Sequence, residues 1–262
     1  MPESAIISAD DREHSLAMSI SIPHPVAVEA AARTGCRFVV LDDEQVVTDK
    51  SAMYAMILAA HKHRTKAMVR LGSTSPDRIT AFLGLGAGGL LLPGLRSAEE
   101  VQAVASYAKY PPVGRRGLGA NLGTRFDFDG DWSEIMPAVN DHIEVHVIVE
   151  TAQILDDIEA VASLEIVDCL DIGVLDLSAS LGMPGDVSSP LVQSAMDKII
   201  AAADRAGKRT ATAAKSPAAA EKLFARGITT AILDPIGLMY QGIAPYQKLL
   251  GENYSFGEPK GN

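Results

Sequence analysis

Residues 143–149 read Ile-Glu-Val-His-Val-Ile-Val and are followed directly by Glu150 and Thr151. This short, mostly apolar run that ends at a charged residue is the pattern that decides the fold. Similar runs recur along the chain, mostly separated by segments with helical spacing, at residues 17–22, 37–41, 66–71, 89–93, 167–174, 209–214 and 229–233. Continuous apolar runs are typical of parallel strands buried on both faces. Eight such strands alternating with helices over about 250 residues predict a (β/α)8 TIM barrel, and a doubly wound open sheet is the alternative.

The length and composition of the chain fit one barrel domain. It has 262 residues, of which 47% are apolar and 21% charged, enough to form a full core. No low-complexity linker divides it, so we predict a single domain over residues 1–262, with an N-terminal extension at 1–14 and a C-terminal tail at 246–262. The capping box that Ser97 opens and Glu100 closes, and the pair Ser189-Pro190, predict helix starts.

The charge balance excludes several classes of partner. Lys and Arg total 23 against 33 Asp and Glu, which gives a net charge of −10 and an isoelectric point near 5.0. Such an acidic chain does not favour nucleic acid or anionic membranes. Acidic residues near the N-terminus argue against a secretory signal, and glycines break the longest uncharged stretch, at residues 79–95. Cys36 and Cys169 lie in apolar runs and are expected as buried free thiols. We therefore expect a soluble, cytoplasmic protein that acts on a small molecule.

Charged residues follow several of the predicted strands, where a barrel carries its chemistry. Glu150 and Asp176 end neighbouring strands, and two such carboxylates can hold a hard divalent cation, Mg²⁺, Mn²⁺ or Co²⁺. Solvated carboxylates, or a salt bridge to Arg70, are the alternative. Arg70 could clamp a carboxylate or an enolate oxygen, or it could pair with Asp42 or Glu44.

The segment between residues 110 and 130 is an unusually long connection. It carries Arg115, Arg116 and Arg125 among glycines in an otherwise acidic chain. Long loops in compact domains are often functional. We expect an anion-contacting loop over the site, with Arg116 and Asn121 as substrate-binding residues. A surface loop with solvated arginines is the alternative.

Several stretches together resemble the HpcH/HpaI family, the class II pyruvate aldolases of the phosphoenolpyruvate/pyruvate barrel superfamily. The resemblance covers roughly residues 15 to 245. It is carried by Tyr110-Pro-Pro-Val-Gly-Arg-Arg-Gly-Leu-Gly119, Val149-Glu150-Thr151 and Asp171-Ile-Gly-Val-Leu-Asp-Leu-Ser178, with weaker matches at Ser21-Ile-Pro-His-Pro25, Leu41-Asp-Asp-Glu44 and Leu91-Leu92-Pro93.

The resemblance implies a metal-binding lyase with a defined set of site residues. Glu150 and Asp176 match the metal ligands of the family, and Arg70 matches the arginine that contacts the keto oxygen. Backbone amides around Gly173, Leu175 and Asp176 would hold the substrate carboxylate. The family also implies a homo-oligomer, a hexamer built as a trimer of dimers, in which the last helix is exchanged between subunits.

The chain departs from the family at its acid–base pair. Gln45 stands where the family has its catalytic histidine, and Gly84 stands where the family has the aspartate that pairs with it. A glutamine cannot act as a general base, whereas decarboxylation of a β-keto acid needs none. We keep Gln45, Asp42 and Arg70 as catalytic candidates, and His24 as a possible replacement base.

The resulting prediction is a divalent-metal-dependent carbon–carbon lyase of the aldolase type. It would act on a 2-oxo acid through a metal-bound, pyruvate-like enolate. An oxaloacetate-type decarboxylase, or a repurposed enzyme of specialised metabolism on the same platform, is one alternative. A barrel that only binds a carboxylate, without catalysis, is the other.

Overall fold

Eight short parallel strands pair in sequence order, and the last returns to the first to close a barrel. The computed structural model describes residues 14–46, 48–127 and 129–251. Residues 1–13 of the predicted N-terminal extension and most of the predicted tail lie outside them. Within them the strands are β1 Ser15–Ile20, β2 Phe38–Asp42, β3 Lys66–Arg70, β4 Gly89–Leu92, β5 Glu144–Val149, β6 Cys169–Ile172, β7 Arg209–Ala213 and β8 Thr230–Leu233. The predicted (β/α)8 barrel is confirmed, and the open sheet is wrong.

Helices connect successive strands and pack outside the barrel. They are α1 Pro25–Ala32, α2 Lys50–Lys62, α3 Pro76–Gly84, α4 Ala98–Ala105, α5 Trp132–His142, α6 Ile158–Ser163, α7 Val174–Ser180, α8 Pro190–Arg205, α9 Pro217–Ala225 and α10 Pro235–Gly251. Both predicted helix starts form, since Ser97 accepts from the Glu100 amide and Ser189 accepts from the Val192 amide. The predicted capping box is only half formed, because the Glu100 carboxylate accepts the Arg96 amide and not that of Ser97. The tail expected from residue 246 instead continues helix α10 up to Gly251.

The strand predicted at residues 167–174 is too long at its end. β6 stops at Ile172, the chain turns at Gly173, and α7 begins at Val174. Val174 packs against the same apolar layer as Ile172, so hydrophobicity alone does not mark the boundary. Asp176 therefore lies in the first turn of α7 rather than at the end of a strand.

Apolar side chains fill the barrel in two layers. The larger layer lies between the strands and the surrounding helices. A smaller cluster fills the barrel interior and includes Phe38, Met68, Leu91 and Ile148. Because successive side chains on a strand point to opposite faces, this cluster shows which positions of each strand face inward. Cys36 and Cys169 are buried free thiols, as predicted.

A group of charged side chains lies inside the barrel at the amino ends of the strands. We call Lys66, Glu144, His146 and Arg209 the basal charge cluster. Glu144 pairs with Lys66 at 2.6 Å, with the His146 ring at 3.1 Å, and with Arg209. Burial acts to raise the pKa of Glu144, but these partners outweigh it and hold that pKa well below its usual range. Glu144 thus offsets part of the positive charge of Lys66 and Arg209, while His146 Nδ1 and Arg209 Nη1 are buried without a hydrogen-bond partner in the described part of the chain.

Helix α10 carries an exposed apolar face at the end of the described chain. The exposed side chains include Ile236, Met239, Tyr240, Ile243, Tyr246 and Leu249. In the described part of the chain, no helix combines the length and hydropathy that crossing a membrane requires.

Candidate active site

The carboxyl end of the barrel centres on Arg70, the last residue of β3. Asp42 ends the neighbouring strand β2 and receives two hydrogen bonds from the guanidinium, from Nε at 3.0 Å and from Nη2 at 2.6 Å. Nη1 lies 3.2 Å from Glu44. The ion pairs that the sequence left as an alternative are therefore formed. Asp42 is 5% exposed and fixes the plane of a guanidinium whose side chain remains 24% exposed.

Asp42 also holds the turn that follows β2. Its Oδ1 accepts the backbone amides of Glu44 at 2.9 Å and Gln45 at 3.3 Å. Asp43, the next residue, turns away and pairs with Arg78 of helix α3. By this geometry Asp42 is a positioning residue for Arg70.

Glu150 and Asp176 provide the second part of the site. Glu150 follows β5, and its Oε1 accepts the Gly94 amide at 2.6 Å. Gly173 separates β6 from α7, and a Cβ there would lie 3.1 Å from Glu150 Oε2 and 3.0 Å from Ile148 Cγ2. The glycine thus leaves the space that the Glu150 carboxylate occupies. Asp176 is exposed in the first turn of α7.

The arrangement of ligand side chains is open. Among the residues described, no three His, Cys, Asp or Glu side chains form a group able to hold a metal. A cation at Glu150 and Asp176 would therefore complete its coordination with water and substrate oxygens, and two hard carboxylate donors suit a divalent cation of that kind.

Negative charge accumulates at this end of the barrel. Burial raises the pKa of Glu150, and the charges of Glu44 and Asp176 raise it further against the hydrogen bond from Gly94. Burial also raises the pKa of Glu44, with Arg70 opposing and Asp42 and Asp176 adding to the rise. The carboxylates thus oppose one another's ionisation, an arrangement that a bound cation relieves.

Asp171 belongs to the same layer and was not assigned a role by the sequence reasoning. It lies in β6 opposite Ile148 of β5 and is 6% exposed. Burial raises its pKa to about 7, Arg70 acts against this rise, and Glu150 adds to it. A carboxylate inside an apolar strand run is the sequence signal that could have identified it.

The long loop lies at the other end of the barrel within one chain. A Cβ built at Gly86 would lie 3.1 Å from Leu122 Cγ, and a Cβ built at Gly123 would lie 2.5 Å from the Leu83 carbonyl oxygen. Leu83 and Gly86 both precede β4, so the loop packs at the amino end of that strand. The reason is that α4 runs antiparallel to the strands and delivers the chain to their amino ends. The expected loop over the site is therefore not formed by the same chain.

Two predicted substrate-binding residues accordingly lie away from Arg70. Asn121 caps the short 3₁₀ turn Leu122–Thr124. Arg116 is 3% exposed and stacks on the Tyr110 ring, with its carbon Cζ 4.7 Å from the ring centre. Arg115 is exposed, stacks on the Tyr107 ring and donates to the Ser106 hydroxyl. For this arginine the structure agrees with the alternative prediction of a surface loop.

The remaining candidates occupy simple local positions. His24 is exposed after β1, and its Nδ1 accepts the Val26 amide at 3.2 Å as the cap of α1. Gln45 is exposed, and its backbone amide donates to the same Asp42 Oδ1 that accepts from Arg70 Nε. Gly84 ends helix α3 close to Asn121, at the end of the barrel opposite to Arg70. Leu175 is 61% exposed beside Asp176.

Comparison with known proteins assigns this barrel to a family. The sequence model of the HpcH/HpaI aldolase/citrate lyase family matches residues 18–233 of this chain. A 2-keto-3-deoxy-L-rhamnonate aldolase from Klebsiella pneumoniae is 30% identical over 82% of this chain and 80% of its own length.

Solved structures agree in fold. An HpcH/HpaI aldolase/citrate lyase family protein from Burkholderia cenocepacia superposes with a TM-score of 0.85 at 26% identity, over 94% of this chain and 96% of that one. The citrate synthase SbnG gives a TM-score of 0.81 at 26% identity, over 93% and 95%.

Proposed function

The chain belongs to the HpcH/HpaI aldolase/citrate lyase family, and from that premise we propose that it is a divalent-metal-dependent lyase that cleaves a 2-oxo acid to a pyruvate-like enolate. Membership confirms the predicted enzyme class, a carbon–carbon lyase. The observation that carries the finer proposal is the proximity of two sets of groups. A guanidinium held in place by Asp42 lies at the same barrel end as the carboxylates of Glu150 and Asp176.

Glu150 and Asp176 would hold the cation. Their hard oxygen donors and the space left at Gly173 fit a divalent ion. When bound, the cation supplies a Lewis acid that polarises the 2-oxo group of the substrate. The identity of the ion, Mg²⁺, Mn²⁺ or Co²⁺, is part of the proposal.

Arg70 would stabilise the negative charge that develops on the keto oxygen. Its guanidinium is kept in one orientation by Asp42 before the substrate arrives, so little reorganisation is needed during the reaction. The backbone amides of Leu175 and Asp176, in the first turn of α7, lack acceptors within their helix and can donate to the substrate carboxylate.

The type of bond cleavage is a narrower question. Retro-aldol cleavage follows the family, whereas decarboxylation of oxaloacetate suits a site in which Gln45 cannot take a proton. Condensation in the opposite direction is supported by the likeness to the citrate synthase SbnG. All three reactions share the enolate and the same site residues.

The experiment is to purify the protein, remove metal with a chelator and add Mg²⁺, Mn²⁺ or Co²⁺ separately. Oxaloacetate decarboxylation, aldehyde release from 4-hydroxy-2-oxo acids and Mn²⁺ binding by electron paramagnetic resonance are then measured. Glu150→Gln should lose Mn²⁺ binding and at least about 100-fold of either activity. The matched control is Glu165→Gln, an exposed glutamate between α6 and β6. Full activity of the Glu150 variant, or of the metal-free protein, would overturn the proposal, and metal binding without any turnover would support the non-catalytic alternative.

We also propose that the chain forms a homo-oligomer through helix α10. Its exposed apolar residues, such as Met239, Ile243 and Tyr246, form a face that a second copy would cover. Light scattering coupled to size exclusion tests this. Ile243→Glu should shift the particle to a smaller mass, and a wild-type monomer would contradict the proposal.

A further inference from the structure

Most titratable groups at the carboxyl end of the barrel already have partners. Asp42 binds Arg70 and two backbone amides, and Glu44 pairs with the same guanidinium. Asp234, after β8, accepts the Ser21 hydroxyl at 2.6 Å and the Gly237 amide at 2.8 Å. His24 caps α1 from an exposed position. Glu150 and Asp176 are the proposed metal ligands. A lyase that moves a proton to and from carbon therefore needs another group.

Asp171 is placed to be that group. Its strand neighbours Leu170 and Ile172 pack in the layer against the helices, so the side chain between them points into the barrel. Its register partner Ile148 belongs to the interior cluster. The residue is 94% buried (6% exposed), and none of the described residues lies within hydrogen-bonding or ion-pairing distance of its carboxylate. The charges of Arg70 and Glu150, the groups proposed to contact the keto oxygen and the cation, both act on its pKa.

A buried carboxylate without a hydrogen-bond partner destabilises the folded chain, so such a group points to a functional role. Burying an ionised carboxylate is strongly unfavourable, and most such groups acquire hydrogen bonds. A second carboxylate in the same layer, Asp42, has four donors. The absence of described donors at Asp171 leaves its oxygens available to a substrate hydroxyl or to the carbon next to a keto group.

We propose that Asp171 is the acid–base residue of this lyase, an inference that rests on the proposed function. In the cleavage of a 4-hydroxy-2-oxo acid, the Asp171 carboxylate takes the proton of the C4 hydroxyl. The C4 oxygen forms the aldehyde, the C3–C4 bond breaks, and its electron pair passes to C3 and the 2-oxo group as the enolate. Asp171 then returns the same proton to C3, which gives pyruvate and regenerates the carboxylate. No further reactant is needed.

The environment supports this reversible proton transfer. Burial raises the pKa of Asp171 to about 7, although Arg70 opposes the rise. A group that changes protonation near neutral pH can accept and donate a proton in one catalytic cycle.

The test separates proton transfer from the other tasks of the site. The full-length protein with Mn²⁺ is compared with Asp171→Asn, which keeps the shape and removes the base. Three quantities are measured: deuterium exchange into the pyruvate methyl group in heavy water, decarboxylation of oxaloacetate, and Mn²⁺ affinity by electron paramagnetic resonance. Decarboxylation needs no base, because the enolate can be protonated by solvent. Glu165→Gln serves as the remote control.

The expected result is a loss of about 10²- to 10⁴-fold in methyl exchange, with decarboxylation within about threefold of wild type and Mn²⁺ affinity unchanged. Unchanged exchange in the variant would overturn the assignment. So would an equal loss of exchange and decarboxylation, since Asp171 would then support the site as a whole. A wild-type protein that decarboxylates but exchanges no proton would refute the acid–base assignment and leave the lyase standing. A protein with neither reaction and no bound Mn²⁺ would refute the proposed function itself.

Discussion

Replacing Asp171 by asparagine should stabilise the folded chain, and the gain should grow as the pH rises. Burial raises the pKa of this carboxyl to about 7 in the folded protein, against an ordinary value of 3.8. An acid whose pKa is higher in the folded state destabilises the folded chain when it is ionised. This penalty is absent below the unfolded pKa, grows as the pH rises, and is complete above the folded pKa. Asparagine imitates the protonated form at every pH.

The size of the effect follows from these two pKa values, 3.8 and about 7. One unit of pKa difference corresponds to about 1.4 kcal/mol. At pH 5.5 the unfolded carboxyl is ionised and the folded one is mostly protonated, and the penalty carried by Asp171 is about 2 kcal/mol. At pH 8.5 both are ionised and the penalty reaches about 4 kcal/mol. The stability gap between the variant and the wild type should therefore widen by about 2 kcal/mol across this range.

Urea unfolding followed by circular dichroism measures the gap directly. Both proteins are studied with a chelator present, at pH 5.5, 7.0 and 8.5, all above the isoelectric point near 5.0. Titrating groups that do not interact with Asp171 contribute equally to both proteins and cancel in the difference. A gap that stays constant with pH, or that narrows as the pH rises, would refute the reasoning that burial governs Asp171.

Three further substitutions test other parts of the structure. Glu144→Gln should lower the free energy of unfolding by about 3–5 kcal/mol, because it leaves buried cations uncompensated; urea titration measures this, and Glu159→Gln, in an exposed pair, should change little. Gly173→Ala should weaken Mn²⁺ binding about 10- to 100-fold, because the new Cβ would displace the Glu150 carboxylate. Gly117→Ala should leave Mn²⁺ binding unchanged, because a Cβ at Gly117 would have no neighbouring atom within 4 Å. Arg70→Lys should lower kcat for decarboxylation about 10²- to 10³-fold with unchanged Mn²⁺ affinity, since lysine loses the bidentate geometry. Unaltered values in any of these variants would contradict its argument.

The sequence predicted the barrel because its signal is repeated eight times. Each strand is a continuous apolar run, and an error at one boundary does not alter the count. Boundaries were less certain where an apolar residue serves a helix as well as a strand. Val174 illustrates this, because it begins α7 while packing in the same layer as β6.

The site could be predicted in part for a related reason. Asp42 and Arg70 end strands and Glu150 follows one. The ends of these strands are visible in the sequence, and parallel strands bring their carboxyl ends together. Arg116 and Asn121 were misplaced relative to their own chain because composition does not reveal the end of the barrel at which a loop emerges. The direction of α4 decides that, and it is a property of the three-dimensional fold.

The two charged layers of the barrel differ in the partners of their carboxylates and in the direction of the pKa shifts. In the basal charge cluster, Glu144 accepts contacts from two cations and a histidine, and its pKa falls. At the carboxyl end Arg70 faces several carboxylates, and the pKa values of Glu44, Glu150 and Asp171 rise. In the first layer the described chain itself supplies the cations that pair with Glu144. The second layer holds more carboxylates than cations, and burial together with this excess of negative charge raises their pKa values, which is why we propose the cation site and the acid–base residue there.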